Sequence, residues 1–137
     1  MKSNTNKEQD MRAISLAIFG LLSSFSVGAH AAEAPELTGT WSGSGSSVSN
    51  SEGWETGRSA SITITEQRGP VFKGVIKYES GEEEFVGVIK ADGKTILMSS
   101  DDGIANATLI SPNEIEDCYV EGGDDAMATC TIMKRAD

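Results

Sequence analysis

The sequence predicts an all-β protein, an eight-stranded antiparallel up-and-down barrel that follows a cleaved N-terminal signal helix. Three observations predict it. After residue 32 no segment shows helical periodicity, short β-rich segments alternate with turn signals every 8–12 residues, and two separately placed turns give one consistent interior face. The eight predicted strands are residues 38–47, 58–66, 70–79, 83–90, 94–100, 104–110, 114–120 and 126–134.

Residues 1–31 are predicted to be a signal peptide. Arg12 supplies a positive flank, residues 13–27 are apolar or small, and Ala29-His30-Ala31 fits the small-x-small cleavage rule. The apolar segment is shorter than the roughly 20 residues of a membrane-spanning helix, although an uncleaved anchor is the alternative. Met11 is a more typical start for such a leader than Met1. We therefore expect one exported domain, residues 32–137, with no membrane insertion of the mature chain.

The charge balance disfavours some partners. The formal net charge is −10, and residues 1–31 hold three cationic and two anionic side chains, so the mature chain carries −11. Nucleic acid is not expected as a partner, because phosphate binding needs a basic surface. A cationic partner is favoured, and the alternative is that the acidity only keeps an exported protein soluble.

The first predicted strand begins in an unusual segment, residues 37–48, with the sequence LTGTWSGSGSSV. A phosphate-binding glycine loop is disfavoured because no helix follows it. A Ser/Gly linker does not explain the Thr-Trp start. Gly43 and Gly45 share the face of Trp41 and would leave room for bulky groups opposite. The segment therefore predicts a bent first strand, and residues 51–56 are predicted to form the first turn, which would contain Trp54.

The central hairpins predict the interior face. A two-residue turn at Ser80-Gly81 pairs Gly74 with Gly87, and a second turn at Asp92-Gly93 pairs Gly87 with Met98. A one-residue slip of either strand would scatter the apolar residues to both faces. Together the two turns place one apolar set inside, namely Phe72, Ile76, Phe85, Ile89, Ile96 and Met98, with the opposed pairs Ile76–Phe85, Phe72–Ile89 and Ile89–Ile96.

Two neighbouring turns extend this face. A three-residue loop at 67–69 would place Ile64 opposite Phe72 and Ile62 opposite Gly74. For the sixth strand, a turn at Asp102-Gly103 directs Ala105, Ala107 and Leu109 inward. A longer loop at 101–103 would instead direct Asn106 and Thr108 inward. We prefer the first, because it places fewer polar groups inside.

The two cysteines fall in the last hairpin. In a register centred on Asp124, Cys118 lies directly opposite Cys130, close enough for a disulfide. An even cysteine count in an exported chain favours this bond over two free thiols. The localisation that follows is periplasmic or secreted.

Short motifs resemble those of the calycin-like barrels. Gly39-Thr40-Trp41 resembles the Gly-x-Trp on the first strand of lipocalins, and residues 37–41 with Phe72-Lys73-Gly74 resemble avidins. The resemblance implies that Trp41 plugs one end of the barrel. The later tryptophans of the avidin biotin site are absent here. The haem-binding nitrobindins begin similarly but use a His ligand, and residues 32–137 contain no His.

The same absence disfavours catalysis. Without a His, neither a Ser-His-Asp nor a Cys-His arrangement can form, so we expect no enzyme activity, no metal and no cofactor. Residues 82–84 are interpreted as a solvated strand edge rather than an acid–base pair. The acidic segments 101–103 and 121–125 are interpreted as turns, since the ligand spacing of an EF-hand is missing.

Two functions remain as hypotheses. The first is a binding protein for a small apolar ligand held inside the barrel by Trp41, Phe72, Phe85 and Met98. The second is an acidic periplasmic inhibitor or interaction protein that meets a cationic protein through Trp54, Glu121, Asp124 and Asp125. A cavity of at least ~300 Å³ would favour the first hypothesis. A filled barrel with Trp54 exposed beside acidic loops would favour the second.

Overall fold

The computed structural model describes residues 33–78 and 81–136, and it confirms the predicted fold. Eight antiparallel strands form a closed barrel in which each strand pairs with the next along the chain and the last pairs with the first. The predicted signal peptide lies outside the described residues. The strands are β1 (Gly39–Ser49), β2 (Gly53–Arg68), β3 (Val71–Tyr78), β4 (Gly81–Ile89), β5 (Thr95–Ser99), β6 (Gly103–Ser111), β7 (Glu114–Glu121) and β8 (Met127–Arg135).

The first turn is shorter than predicted. Strand β2 begins at Gly53, so Trp54 lies within the strand, paired with Val48, and not in a turn. The extra length is accommodated by a bulge at Gly57, which is left without a partner on β1 and has a φ of 79°. Only a glycine adopts that conformation without strain, so the bulge lets both strands stay paired on either side of it.

Two glycines of β1 allow its backbone to lie close to that of β8, the pairing that closes the barrel. A Cβ atom at Gly43 would overlap the carbonyl oxygen of Ile132, and one at Gly45 would overlap that of Cys130. These glycines therefore admit the backbone of β8, and not the bulky side chains predicted opposite them. A close approach of two backbones is a use for which glycine has no substitute.

The β3–β4 pairing differs from the prediction by two positions. Gly74 lies opposite Phe85 and Gly87 lies opposite Phe72, whereas the prediction placed the two glycines together. Each glycine leaves space for the ring opposite: a Cβ on Gly74 would lie 2.7 Å from Cζ of Phe85. The two rings then meet edge to face, with centroids 6.3 Å apart. Because the shift is an even number of residues, the predicted interior face is unchanged.

The β2–β3 hairpin is shifted in the same way. Ile62 pairs with Ile76 and Ile64 with Gly74, and the register then changes before Glu66. The chain reverses at Gly69-Pro70, not over the predicted loop 67–69. The bulge supplies the extra residue that the loop was expected to contain, and both isoleucines remain buried.

The β4–β5 and β5–β6 hairpins determine which side chains of β6 point inward. The β4–β5 register is as predicted, with Gly87 opposite Met98. The β5–β6 turn consists of Asp101 and Asp102, one residue earlier than predicted, and its backbone NH groups donate to the Glu83 carboxylate at 2.9 and 3.4 Å. The preferred inward set is confirmed: Ala105 and Ala107 are buried and Leu109 packs against the core.

The last hairpin confirms the disulfide. Cys118 and Cys130 are directly opposed, bonded to one another, and face outward from the barrel. Such a bond is typical of an oxidising, non-cytoplasmic compartment. Within residues 33–78 and 81–136 no helix has the length and apolar character needed to cross a membrane.

The barrel has two unlike ends. We call the end with the β2–β3, β4–β5 and β6–β7 turns the lower end, and the opposite end the upper end. At the lower end Trp41 is fully buried, its Nε1–H donates to the Leu37 carbonyl at 2.8 Å, and the Arg135 guanidinium lies 4.5 Å from the ring centroid. The buried apolar core rises from there: Leu37, Trp41, Ile62, Ile64, Phe72, Phe85, Ile89, Ile96, Met98, Ala105, Ala107, Ile115 and Met133.

Candidate functional site

The four residues predicted to bind a ligand inside the barrel all belong to the core. Trp41, Phe72, Phe85 and Met98 are each more than nine-tenths buried. Phe72 and Phe85 fill the space that Gly87 and Gly74 leave open. These side chains therefore pack within the core. Ligand binding by them stays a prediction.

The residues predicted to bind a partner lie at the upper end. Trp54 is 87% exposed, and Asp124 and Asp125 are exposed in the β7–β8 turn. The NH of Asn50 donates to the carbonyl of Ala126 at 3.1 Å, which joins the turn beside Trp54 to the acidic turn. The structure therefore brings these three predicted residues to one end of the molecule.

Glu121, the fourth predicted partner residue, is oriented differently. Its carboxylate accepts a hydrogen bond from the Tyr119 hydroxyl at 2.8 Å, and both side chains lie on the inward face of β7. Glu121 therefore belongs to the rim of the upper opening and not to the outer face. Its predicted contact with a partner stays a prediction.

The outer face carries a row of apolar side chains that the sequence analysis missed. In the strand register Val86 leads through Ser99 to Ile104, then Val120, Ala128, Val48 and finally Trp54. Ile104 is 60% exposed and Val86 is 63% exposed. We call Val48, Trp54, Val86, Ile104, Val120 and Ala128 the apolar belt. The sequence contained a signal for the belt, namely apolar residues at outward-facing strand positions, where an isolated barrel would have polar residues.

Two shallow hollows follow this belt. A hollow of about 1080 Å³ lies over β2 to β7, where Val71, Val88 and Leu97 adjoin the belt and Glu66 and Arg68 form its edge on β2. A smaller one of about 240 Å³ lies between Trp54 and the disulfide. Both include Cys118 and Val120, so the two hollows form one continuous apolar surface that ends at the exposed indole.

The upper interior of the barrel is polar on one side. Asp117 and Tyr119 on β7 lie opposite Thr131 and Thr129 on β8. Thr129 in turn lies opposite Ser47 on β1. We call these five inward-facing residues the polar wall. The opposite wall, on β3 to β6, contains buried apolar residues, Phe85 and Met98 among them. The polar wall could have been predicted from the alternation of side chains along β7, because an inward Ile115 places Asp117 and Tyr119 inward as well.

Asp117 is the exceptional group in the polar wall. It is 8% exposed, and no described residue reaches its buried Oδ1 with a hydrogen bond. Burial raises the pKa of the Asp117 carboxyl from the ordinary 3.8 to about 6, because a charged carboxylate loses its hydration there. Within the described residues, no three His, Cys, Asp or Glu side chains are grouped as a metal site requires.

Comparisons with known proteins return little for this chain. No protein-family model matches it, and no curated protein matches it. Among solved structures, a redesigned β barrel is similar, with 12% sequence identity and a TM-score of 0.48 over 74% of this chain and 92% of that chain. No function is transferred from that similarity.

Proposed function

We propose that this protein is an exported, non-catalytic binding protein with a calycin-like barrel, and that it recognises a cationic protein partner at its upper end. The single observation that carries the proposal is the apolar belt, which ends at Trp54 beside an acidic turn. Exposed tryptophans of this kind often supply much of the binding energy at protein interfaces. The belt is also larger than the scattered apolar groups of an ordinary protein surface.

Charge complementarity favours a basic partner. Asp124 and Asp125 are exposed in the turn beside the belt, and Glu52 and Glu55 flank Trp54 in sequence. Arg58 lies 3.6 Å from Glu52 and 3.5 Å from Glu55, so this cation neutralises only part of the acidic charge. A second copy of the chain would bring the same acidic turn to the interface and be repelled.

Packing inside the barrel also favours recognition on the outer surface. The four residues that could hold an apolar ligand are buried against one another, and two of them cover glycines. The outer belt, in contrast, leaves large apolar side chains in water. The second hypothesis from the sequence therefore has more support than the first.

Sequence features support the remaining parts of the proposal. The Gly-x-Trp of β1 and the eight-stranded topology support a calycin-like relationship. The disulfide supports a periplasmic or secreted location. The lack of a His in residues 32–137 supports a role without catalysis.

Capture followed by a binding measurement tests the proposal. The protein, expressed from the full chain, is immobilised and exposed to a periplasmic extract, and the captured protein is identified and purified. We expect a basic protein whose affinity falls at high salt, because screening weakens contacts between exposed charges. The Trp54→Ser variant should bind it at least about tenfold more weakly.

Ile110→Ser is the matched control. Ile110 is 53% exposed and faces outward on β6, but it lies off the belt. Its replacement should change the affinity less than about twofold. The proposal fails if the purified partner is acidic, or if Trp54→Ser and Ile110→Ser have the same effect.

A further inference from the structure

We infer that the upper interior of the barrel contains a site for one organic ammonium group, with the Asp117 carboxylate as its counter-charge and the Thr131 hydroxyl as a second acceptor. The ammonium group can belong to a free amine or to a lysine side chain of a bound protein. The inference goes beyond the proposed function, because interior residues carry it and the apolar belt takes no part.

The position of Asp117 supplies the first argument. It stands where the apolar core ends: Ile115 and Met133 face one another in the layer below, and Tyr119 and Thr129 face one another in the layer above. Its own neighbours are Ala107 on β6 and Thr131 on β8. A small side chain lies on one side of the carboxylate and a hydroxyl on the other. The same cross-strand row continues from Thr131 through Gly45 to Arg58, whose guanidinium is paired with Glu52 and Glu55.

The missing hydrogen bond supplies the second argument. A buried polar atom without a partner destabilises the native state, and most such atoms in folded proteins are satisfied. Asp117 Oδ1 is buried and has no partner among the described residues, although Thr131, its cross-strand neighbour, is also buried. A ligand that donates a hydrogen bond to Oδ1 would remove this defect.

The chemistry of the site selects an ammonium group. An ammonium carries one positive charge and three donors, which matches one carboxylate and the hydroxyls of the polar wall. Its alkyl part would contact the apolar residues on the opposite wall, Phe85 and Met98 among them. A carboxylate or phosphate would meet Asp117 with a like charge and is excluded on that ground.

The rim of the upper opening favours the same ligand. Among the described side chains, the charged and titratable groups that face this opening are Glu55 and Arg58 on β2, Glu83 on β4, and Tyr119 and Glu121 on β7. Arg58 is engaged by Glu52 and Glu55. The acidic groups outnumber the cation, so the opening attracts a positive ligand toward Asp117.

Carbon-13 NMR of the aspartate carboxyls tests the inference on the intact protein. The probes are n-butylammonium, the amide of acetyl-lysine, and n-butanol as the uncharged control. Asp117 should titrate near pH 6 without a probe. Addition of n-butylammonium should shift its resonance and lower its titration midpoint, because a bound cation favours the ionised carboxylate.

Two variants complete the design. Asp117→Asn should weaken n-butylammonium binding at least about tenfold, while Glu116→Gln on the exposed outer face of β7 should leave it unchanged. Should Asp117→Asn fail to fold, the carboxyl titration of the wild-type protein decides alone. Binding of both amines supports a site open to lysine side chains, and binding of n-butylammonium alone supports a free amine.

Three results would contradict the ammonium site. The inference is wrong if neither amine moves the Asp117 resonance, if n-butanol binds as tightly as n-butylammonium, or if Asp117→Asn binds like the wild type. None of these results depends on Trp54, so a failure here is distinguishable from a failure of the proposed function.

Discussion

The two ends of the barrel treat an aspartate in opposite ways. At the lower end, Asp92 in the β4–β5 turn accepts hydrogen bonds from the Thr95 hydroxyl at 2.6 Å and from the NH groups of Lys94 and Thr95 at 2.8 Å, and these bonds lower its pKa from 3.8 to about 2. In the upper interior, below Tyr119 and Glu121, Asp117 is buried without a partner for Oδ1 among the described residues, and its pKa is raised to about 6.

This contrast is the basis of the two proposals made above. The lower end satisfies its carboxylate and seals the core with Trp41, which is what a structural end requires. The upper part of the barrel contains a buried carboxyl whose Oδ1 has no partner among the described residues, and an indole that is exposed to water. Groups that the fold does not satisfy are candidates for a ligand or a partner.

The largest test of the contrast compares the two tryptophans. Trp41→Ala should lower the free energy of unfolding by about 3–5 kcal/mol, because it leaves a large cavity and removes a hydrogen bond and a cation–π contact. Trp54→Ala should change it by less than about 0.5 kcal/mol, since its ring is in water. Urea denaturation measures both. Equal losses would contradict the division between the ends.

The disulfide tests what holds the upper end together. It bridges β7 and β8 at the level of Asp117, where the interior is polar and the apolar core is thin. The double variant Cys118→Ser, Cys130→Ser should lose about 3 kcal/mol, because the bond closes a short loop in the unfolded chain. Thermal unfolding with and without reductant measures the loss. A wild-type protein that reductant leaves equally stable would argue against a role for the bond.

The pH dependence of stability tests the burial of Asp117. The native state keeps its proton up to about pH 6, whereas the unfolded chain releases it near 3.8. The native state therefore loses stability as the pH rises from about 4 to about 6, by about 2–3 kcal/mol. Asp117→Asn should lack this fall and be more stable than the wild type at neutral pH. Asp124→Asn, measured by the same denaturation series, should retain it.

The smallest effect is expected at the glycines of the core. A Cβ on Gly87 would overlap the Phe72 ring, so Gly87→Ala should destabilise the protein by about 1–3 kcal/mol. Gly122 has no atom within 4 Å of such a Cβ, and Gly122→Ala is the control. Calorimetric melting of the two variants compares them. A neutral Gly87→Ala would mean that the ring is free to move aside.

Much of the fold followed from alternation alone. The interior face of β3, β4 and β5 was predicted correctly even though the β3–β4 pairing was wrong by two positions. The side-chain period of a strand is two, so an even shift exchanges partners without exchanging faces. The opposed cysteines were predicted for the same reason, since a disulfide fixes one pair of residues on one face.

The candidate sites were less accessible from the sequence. Trp54 was assigned to a turn, because Gly and Glu around it resemble turn residues and the bulge at Gly57 is not visible in the pattern. Asp117 was not selected, because a single acidic residue in a strand is usually exposed. Its burial depends on which side of β7 faces the interior and on Ala107 and Thr131, which come from other strands.

The sequence by itself determined the eight strands, the two faces of most of them and the disulfide, because these follow from periodicity, turn residues and spacing along one chain. Only the tertiary structure decided that Phe72 packs over Gly87, that the members of the apolar belt line up from β4 to β2 with Ser99 between two of them, and that Asp117 is buried without a partner for Oδ1 among the described residues. Each of these depends on which residues of different strands meet when the barrel closes, and that choice is made by side-chain volume and hydrogen bonding in three dimensions.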